Sequence, residues 1–303
     1  MFIFIILILI FGAPSQGFCD AQISPLFGLG QENFDFKIGD IGGPKREAKY
    51  QPNIAGVSRL ALTAYGFTVG ASLRGSSQEL DPKYGKTDFF DVQLDYHNRK
   101  WGIDFVYQDY KGFYTQSTNQ LQLFPELRFQ QYSLMGRIAM EEGDFTVGAL
   151  LNQADQIKKS SGKYYFVGGF RQHVMDNTIS LLQQDYVGIN PELENLRKMK
   201  VTSLNLGLGA GKYWVADNHI FAGALLDLIG TYGFYKYTDV KNVDDMTQKP
   251  SLSYSLKVGF GYAGETYKFG LSLSGDSTTL VTPGLSFMVP QALRTLIYLR
   301  LTF

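Results

Sequence analysis

Polar side chains recur at every second position in several segments of this sequence, and the charged ones among them have the chemistry of a polar pore. Asp91, Asp95 and Asp104 share the polar face of two adjacent segments. The bases on the corresponding face of other segments are Arg137, Arg171, Lys257, Lys268 and Arg300. In a water-filled channel, an acidic wall facing a basic arc would orient dipolar solutes, and the excess of bases would slightly favour small anions. These side chains are the predicted lining of a constriction, unless the carboxylates merely pair with neighbouring arginines.

The turn between the two acidic segments sets the relative positions of these charges. With a turn at residues 97–100, Gln93 lies opposite Asp104, and the carboxylates form one patch. We expect each base to lie within a few residues of the periplasmic end of the pore. Arg59 and Arg74 would then add charge nearer the outer rim.

Histidines are the other residues that could do chemistry, because hydrolases and acyltransferases use histidine with serine or a carboxylate. His97, His173 and His219 all fall at or beside predicted periplasmic turns, and none lies in a His-x-Ser arrangement. One cysteine and three histidines are too few for a disulfide framework or a zinc site of recognisable spacing. We therefore predict no catalytic residue, no metal and no cofactor.

The elements that position these residues are strands. In 90–97 and 101–108, apolar residues alternate with polar ones over both arms of a hairpin, Val106 being the one exception. Residues 252–262 and 267–274 repeat the pattern around Gly264 and Glu265. A period of two over both arms is specific for β-structure.

Three observations favour a transmembrane barrel over a soluble sandwich. Aromatic residues bracket the short turns, as in Tyr96 and Trp101, where an interfacial girdle belongs. The other face carries Arg, Asp, Ser and Gly, which suits a polar lumen better than a second core. The chain ends in an alternating strand that closes on Phe303, which resembles the signal read by the barrel assembly machinery.

The alternation predicts about fourteen strands in one antiparallel barrel, with short periplasmic turns and longer extracellular loops. The long loops are expected at 75–86, 111–128 and 237–250. Without the first and ninth strands, twelve would remain. The predicted strands are 32–38, 57–64, 67–74, 87–97, 101–110, 129–140, 145–153, 163–173, 177–186, 201–214, 219–231, 252–262, 266–274 and 294–303.

The N-terminus indicates export. Residues 2–11 form an apolar run too short to span a bilayer, and small residues follow it. We predict a signal peptide over 1–21, a periplasmic segment or plug over 22–31 and the barrel over 32–303. With 28 basic and 28 acidic side chains, nothing in the net charge draws the protein to nucleic acid. The predicted location is the outer membrane of a Gram-negative-type bacterium.

Four motifs resemble an uncharacterised outer-membrane β-barrel family of Bacteroidota, domain of unknown function 4421. They are Tyr50-Gln51-Pro52-Asn53, Gly85-Lys86-Thr87, Tyr110-Lys111-Gly112-Phe113-Tyr114, and Asn152-Gln153 followed by Lys158-Lys159-Ser160-Ser161-Gly162. The order of these motifs matches over nearly the whole mature chain. The resemblance implies a barrel and a compartment, but no activity.

The last of these motifs has a chemical interpretation of its own. Lys158, Lys159, Ser160 and Gly162 could form a basic clamp on lipopolysaccharide phosphate at the outer rim, or simply a solvated loop. Gly207, Gly209 and Gly211 alternate in one strand and would leave room in the lumen for a plug or solute.

Taken together, these features predict a channel or transporter for a small polar solute, surrounded by outer-membrane lipid. The alternatives are a lipid-modifying enzyme and a non-conducting anchor for surface loops.

Overall fold

The computed structural model describes residues 23–40, 48–73, 79–116, 121–153, 159–181, 195–216, 219–241, 243–281 and 286–303. Nearly all of these residues lie in antiparallel strands. The strands are β1 (Ile23–Asp40), β2 (Ala48–Gln51), β3 (Val57–Ala64), β4 (Phe67–Leu73), β5 (Asp88–His97), β6 (Trp101–Gln116), β7 (Leu121–Ala139), β8 (Ser161–Asp176), β9 (Leu196–Val215), β10 (Ile220–Asp239), β11 (Asp244–Ala263), β12 (Tyr267–Thr278), β13 (Leu280–Val281) and β14 (Ser286–Leu301).

Twelve of these strands close into a ring, with β14 returning to pair with β1. The closing register runs from Leu26 opposite Arg300 to Asp40 opposite Ser286. The short strands β2 and β13 lie outside the ring order, β2 between β1 and β6, and β13 beside β14. Closure gives the wall no free edge, which is the condition for crossing hydrocarbon with strands.

Two of the fourteen predicted strands are wrong, which accounts for the smaller ring. Residues 145–153 contain a short helix, α1 (Val147–Asn152), and residues 177–181 form no strand. Residues 182–194 lie outside the described part of the chain. The first predicted strand is present and longer than expected, because residues 23–31, assigned to a periplasmic segment or plug, form the first half of β1.

The two ends of the barrel differ in their connections. The turn end carries Ile23, the end of β14 and tight turns such as Tyr65-Gly66. The opposite end is called the loop end. Two loops predicted there are largely strand, since β6 runs to Gln116 and β7 starts at Leu121, while β10 runs to Asp239 and β11 starts at Asp244. An even number of strands in the ring, with Ile23 and Phe303 side by side at the turn end, makes that end periplasmic.

The outer surface of the wall is apolar. On β9, for example, Leu204, Leu206 and Leu208 are 57%, 76% and 56% exposed, while the residues between them face inward or are glycine. Exposed aromatic side chains cluster at the turn end, among them Tyr65, Trp101, Trp214 and Tyr267. An apolar band with an aromatic girdle around a closed ring is the surface of an outer-membrane barrel. The protein is an outer-membrane β-barrel.

Within the described residues, no helix is both long and apolar enough to cross a membrane.

The outer face of β11 allows a test of where the hydrocarbon lies. Leu256→Arg, near the middle of the wall, should lower the free energy of unfolding by about 2–4 kcal/mol. Met246→Arg, on the same face but close to the loop end, should cost only about 0–1 kcal/mol. The measurement is guanidinium unfolding of the barrel in lipid vesicles. A larger cost at Met246 than at Leu256 would show that the middle of β11 does not face lipid.

Candidate functional site

The interior of the barrel is apolar at the loop end. Buried side chains from most strands of the ring meet there in one continuous cluster, the apolar layer. Tyr50 contributes to it from β2, and its hydroxyl donates to the carbonyl of Leu181. The other large members include Phe36, Tyr110, Phe124, Phe129 and Tyr235. This layer closes the lumen towards the loop end.

Three of the family-like motifs meet beside the apolar layer. At this place the strands β3, β4 and β5 are shorter than the other strands of the ring and end below the loop end. The side chain of Asn53 donates to the carbonyls of Asp81 (2.8 Å) and Gly85 (2.5 Å), and its Oδ1 accepts from the backbone N–H of Leu80 (2.8 Å). The Thr87 hydroxyl accepts from the Asn53 backbone N–H (2.8 Å). Asn53 therefore fixes the segment that fills the gap above β3, β4 and β5.

Thr87 in turn ties this segment to β6. Its hydroxyl donates to the carbonyl of Gly112 at 2.7 Å. Gly112 has a φ of +91°, and an added Cβ would overlap the Lys86 carbonyl. The third motif thus needs glycine where the two segments touch.

The helix α1 narrows the turn end from inside. Thr146 caps its N-terminus by accepting from the Ala149 N–H, and Gln153 ends it in a left-handed conformation with a φ of 52°. Residues 145–150 are all buried, so their apparent alternation did not mark two faces of a strand. Phe145 and Leu150 pack among Tyr165, Tyr213 and other residues of the lumen wall. Residues 145–153 form what we call the plug.

Glycines in the wall make room for this plug. Cβ atoms added at Gly211 would overlap the ring of Phe145, and at Gly259 the carbonyl oxygen of Leu150. The overlap at Gly211 agrees with the prediction that small residues of β9 leave space for a plug. The overlap at Gly259 shows that the backbone of α1 lies directly against β11.

Polar anchors hold both ends of the plug. Gln153 Nε2 donates to the hydroxyl of Tyr298 (2.9 Å) and to the carbonyl of Phe269 (3.1 Å). Lys268 Nζ donates to the carbonyl of Gln153 at 3.1 Å. At the other end, the Tyr213 hydroxyl donates to the carbonyl of Asp144. Lys268, a predicted constriction residue, acts here as an anchor for the plug.

The basic loop motif lies at the turn end rather than at the outer rim. Lys159 Nζ is 2.9 Å from Asp144, which Arg99 also contacts at 3.3 Å, and the Ser160 hydroxyl accepts from the Val215 N–H. The hydrogen bond from Lys159 lowers the pKa of Asp144, which stays ionised in mildly acidic surroundings. Gly162 lies within β8. This placement contradicts a clamp at the outer rim, because 145–153 is a plug and the motif follows it on the same side; Lys158 lies outside the described residues.

Between the plug and the apolar layer lies a polar cavity of about 160 Å³. We call it the central cavity. Val147 and Leu151 line it on the plug side, and Phe34 and Leu296 on the side of the apolar layer. The lining also reaches Gly66 and His97 at the turn end. Of the predicted constriction residues, Asp95, Asp104, Arg137, Arg171 and Lys257 line this cavity, whereas Asp91, Lys268 and Arg300 do not.

Arg137 joins two of the carboxylates. Its guanidinium contacts Asp104 from the neighbouring strand β6 and Asp227 on β10, the latter at 2.6 Å. His97 Nε2 lies 2.9 Å from the other oxygen of Asp104. The predicted register is wrong by two residues, since Asp104 lies opposite Asp95 and not opposite Gln93. The tighter turn, with His97 opposite Gly102, accounts for the difference.

A second network lies nearer the apolar layer. Arg294 contacts Asp91 and lies 2.8 Å from Glu32, both of them buried. The Tyr110 hydroxyl donates to Glu32 at 2.6 Å, and Gln108 bridges Glu32 and Asp91. For Asp91 and Asp104, pairing with arginines replaces the proposed acidic wall.

The bases Arg59, Arg171 and Lys257 line the same cavity without a salt bridge in the described part of the chain. Arg59 donates to Ser72 and Gln93. Arg171 lies nearer the loop end of β8 than its turn end, contrary to the prediction, because the missing strand over 145–153 reverses the direction of β8. His173 moves with it, away from the periplasmic turns. Arg74 lies outside the described residues.

Arg300, the remaining predicted base, points inward at the closing seam. It donates to the hydroxyls of Ser24 (3.1 Å) and Thr63 (2.7 Å) and to the carbonyl of Ser24. It stabilises the junction of β14, β1 and β3 rather than lining the cavity.

The arrangement offers little to a metal or to a nucleophilic reaction. Ligand atoms of Asp95, His97 and Asp104 lie within 4.8 Å of one another, but Arg137 and His97 already occupy the oxygens of Asp104. Among the described residues, no serine, threonine or cysteine is hydrogen-bonded to a histidine. His219 packs edge-on against Tyr262 at the turn end.

Sequence comparison gives a family without a known function. The family model described as "Domain of unknown function (DUF4421)" matches residues 31–280. The chain belongs to this family. No curated protein matches it in sequence.

Solved structures similar to this DUF4421 barrel are also outer-membrane proteins. The outer membrane protease OmpT from Escherichia coli has 10% identity and a TM-score of 0.40, covering 93% of this chain and 97% of its own. The P. putida toluene transporter TodX has 10% identity and a TM-score of 0.29, covering 96% and 91%. Ail of Yersinia pestis has 11% identity and a TM-score of 0.24, covering 92% and 99%. At these values none of them informs the activity.

Sequence reasoning missed Glu32, Asp227 and Arg294, although each carried a signal. Asp227 is a lone carboxylate in the apolar run 220–229, at a position whose parity places it inside with Leu225 and Ile229. Glu32 likewise shares inward parity with Phe34. An isolated charge on the inner face of an otherwise apolar strand marks a buried partner elsewhere.

Two arginines of β7 test the Arg137 network. Arg137→Leu should lower the free energy of unfolding by about 3–5 kcal/mol, because it leaves Asp104 and Asp227 without their shared partner. Arg128→Leu, which breaks the half-exposed pair with Asp109, should cost about 0–1 kcal/mol. Urea unfolding in vesicles compares the two. Equal costs would mean that Arg137 does not compensate buried charge.

Proposed function

We propose that this barrel is a gated, substrate-specific transporter that takes a small polar solute through the central cavity. The observation that carries the proposal is a polar cavity inside a closed wall, lined by three bases that form no salt bridge in the described part of the chain. Burying such groups costs free energy, and their presence is explained if a solute compensates them. The proposal also keeps the expected slight preference for anions, now assigned to Arg59, Arg171 and Lys257.

The two closures favour a gated transporter over an open diffusion channel. The apolar layer and the plug lie on opposite sides of the cavity, so a solute cannot diffuse through this conformation. A volume of about 160 Å³ suits one small molecule, since a cavity of roughly 150 Å³ holds benzene. Passage therefore requires both the plug and the apolar layer to move.

The two alternatives differ from this proposal in measurable ways. A lipid-modifying enzyme would release altered lipid, and His97→Ala, His173→Ala or His219→Ala would abolish that activity. A surface anchor would neither conduct nor bind solute. Contacts with lipopolysaccharide and with the barrel assembly machinery remain predictions from the sequence.

Displacing the plug tests transport directly. Gly259→Ala places a Cβ against the backbone of Leu150, so the plug should shift and leave the apolar layer as the remaining closure. Channel openings in a planar bilayer should then be more frequent than in the wild type. Gly230→Ala is the matched control, because its Cβ would meet only the Leu206 carbonyl oxygen at 3.6 Å. It should behave as the wild type.

A barrel that stays closed in Gly259→Ala, with the variant still folded by heat-modifiable mobility on gels, would contradict the transporter and support the anchor. A wild type that conducts as freely as Gly259→Ala would instead contradict gating by the plug.

A further inference from the structure

Arg171 crosses the lumen and is held there. From β8 its Nη1 donates to the hydroxyl of Thr278 on β12 at 3.3 Å. Thr278 accepts from Ser253 at 3.1 Å, and the Ser253 hydroxyl lies 3.1 Å from that of Thr231. Thr231 donates to Asn205 at 2.9 Å. Thr278, itself bonded to Ser253, therefore holds the guanidinium in the central cavity, and Thr231 and Asn205 extend the polar lining over four neighbouring strands.

No further hydrogen bond from this guanidinium is present in the described part of the chain, and the carboxylate of Asp276 interacts with its charge from beyond salt-bridge distance. Arg171 is 7% exposed, its Nε is buried without an acceptor, and no carboxylate forms a salt bridge with it. Arg137 and Arg294, which also line this cavity, each contact two carboxylates, whereas Arg59, like Arg171, forms no salt bridge among the described residues. Nε and Nη2 form the edge of arginine that binds two oxygens of a carboxylate or phosphate side by side.

The groups beside Arg171 also suit a carboxylate or phosphate ligand. His173 lies two residues along the same face of β8, is 2% exposed, and its Nδ1 has no partner in the described chain. Lys257 lines the cavity without a salt bridge and adds positive charge. Asp95 and Asp276 also line the cavity and form no salt bridge. Their negative charge favours a ligand with a single anionic group over a ligand with several.

We propose that Arg171, with His173 and Lys257, forms a subsite for one oxyanion, the carboxylate or phosphate group of the solute. This inference rests on the proposed function and names the chemistry of its substrate. The central cavity extends to Gly66 and His97 at the turn end, which gives a small anion a route to Arg171.

The test is isothermal titration of the full mature barrel in detergent micelles with sodium phosphate and, separately, sodium acetate. Sodium chloride at equal ionic strength is the reference. The wild type should bind at least one of the two probes. Arg171→Gln, which removes the guanidinium and its charge, should weaken that binding roughly tenfold or more, because a charge-assisted hydrogen bond is lost. Arg128→Gln, at a half-exposed arginine of β7, should bind as the wild type.

The two probes separate the sources of the anion: binding of phosphate alone identifies a phosphate group, and of acetate alone a carboxylate. Binding of neither by the wild type, or equal binding by Arg171→Gln, overturns the subsite. If Arg171→Gln does not fold, Thr278→Val keeps the charge but removes its support, and should still weaken binding several-fold. Unchanged affinity in that variant would also refute the proposal.

The outcome of the conductance experiment does not depend on the outcome of the anion-binding experiment. A barrel that conducts when its plug is displaced but binds neither anion loses the subsite and keeps the transport function. A barrel that binds an anion but never conducts keeps the subsite and loses transport.

Discussion

Satisfying every backbone hydrogen bond inside hydrocarbon is the constraint on which the rest of this structure depends. Lipid offers no partner for an unpaired N–H or carbonyl group, so the strands must close on themselves. The pairing of β14 with β1 over fifteen residue pairs performs that closure. Once the ring is closed, alternate side chains have to point into a confined interior, and the apolar ones on the other face meet lipid. The interior is then the part of the molecule where sequence can encode function.

Charge inside such an interior is tolerated only with a partner, and the barrel uses two solutions. Arg137 and Arg294 each neutralise two carboxylates, so both groups are internally balanced and brace strands across the lumen. Arg171 is supported by hydroxyls alone, which orient it without cancelling its charge. The difference between these arginines cannot be read from residue type, since all three occupy inward positions of strands.

The alternation of apolar and polar residues predicted the ring and its two faces well. Whether a side chain of a strand points inward or outward follows from backbone geometry alone. The alternation failed at 145–153, where the apolar spacing fitted a strand, while the cap at Thr146 and complete burial favoured a helix. That error inverted β8, displacing Arg171 and His173 along the pore. Registers across turns and partners across the lumen depend on tertiary contacts that no local pattern encodes.

The family-like motifs lie at the closures, which has a physical reason. Asn53 makes all its hydrogen bonds to one segment, Gly112 must lack a Cβ, and Gln153 must adopt a left-handed conformation while reaching Tyr298. Each position tolerates few alternatives, because a lost donor would leave backbone groups unpaired in a water-poor interior. None of these motif residues lines the central cavity. The family-like motifs of this chain are therefore the parts that build its two closures, whereas the cavity lining is set by other positions of the strands.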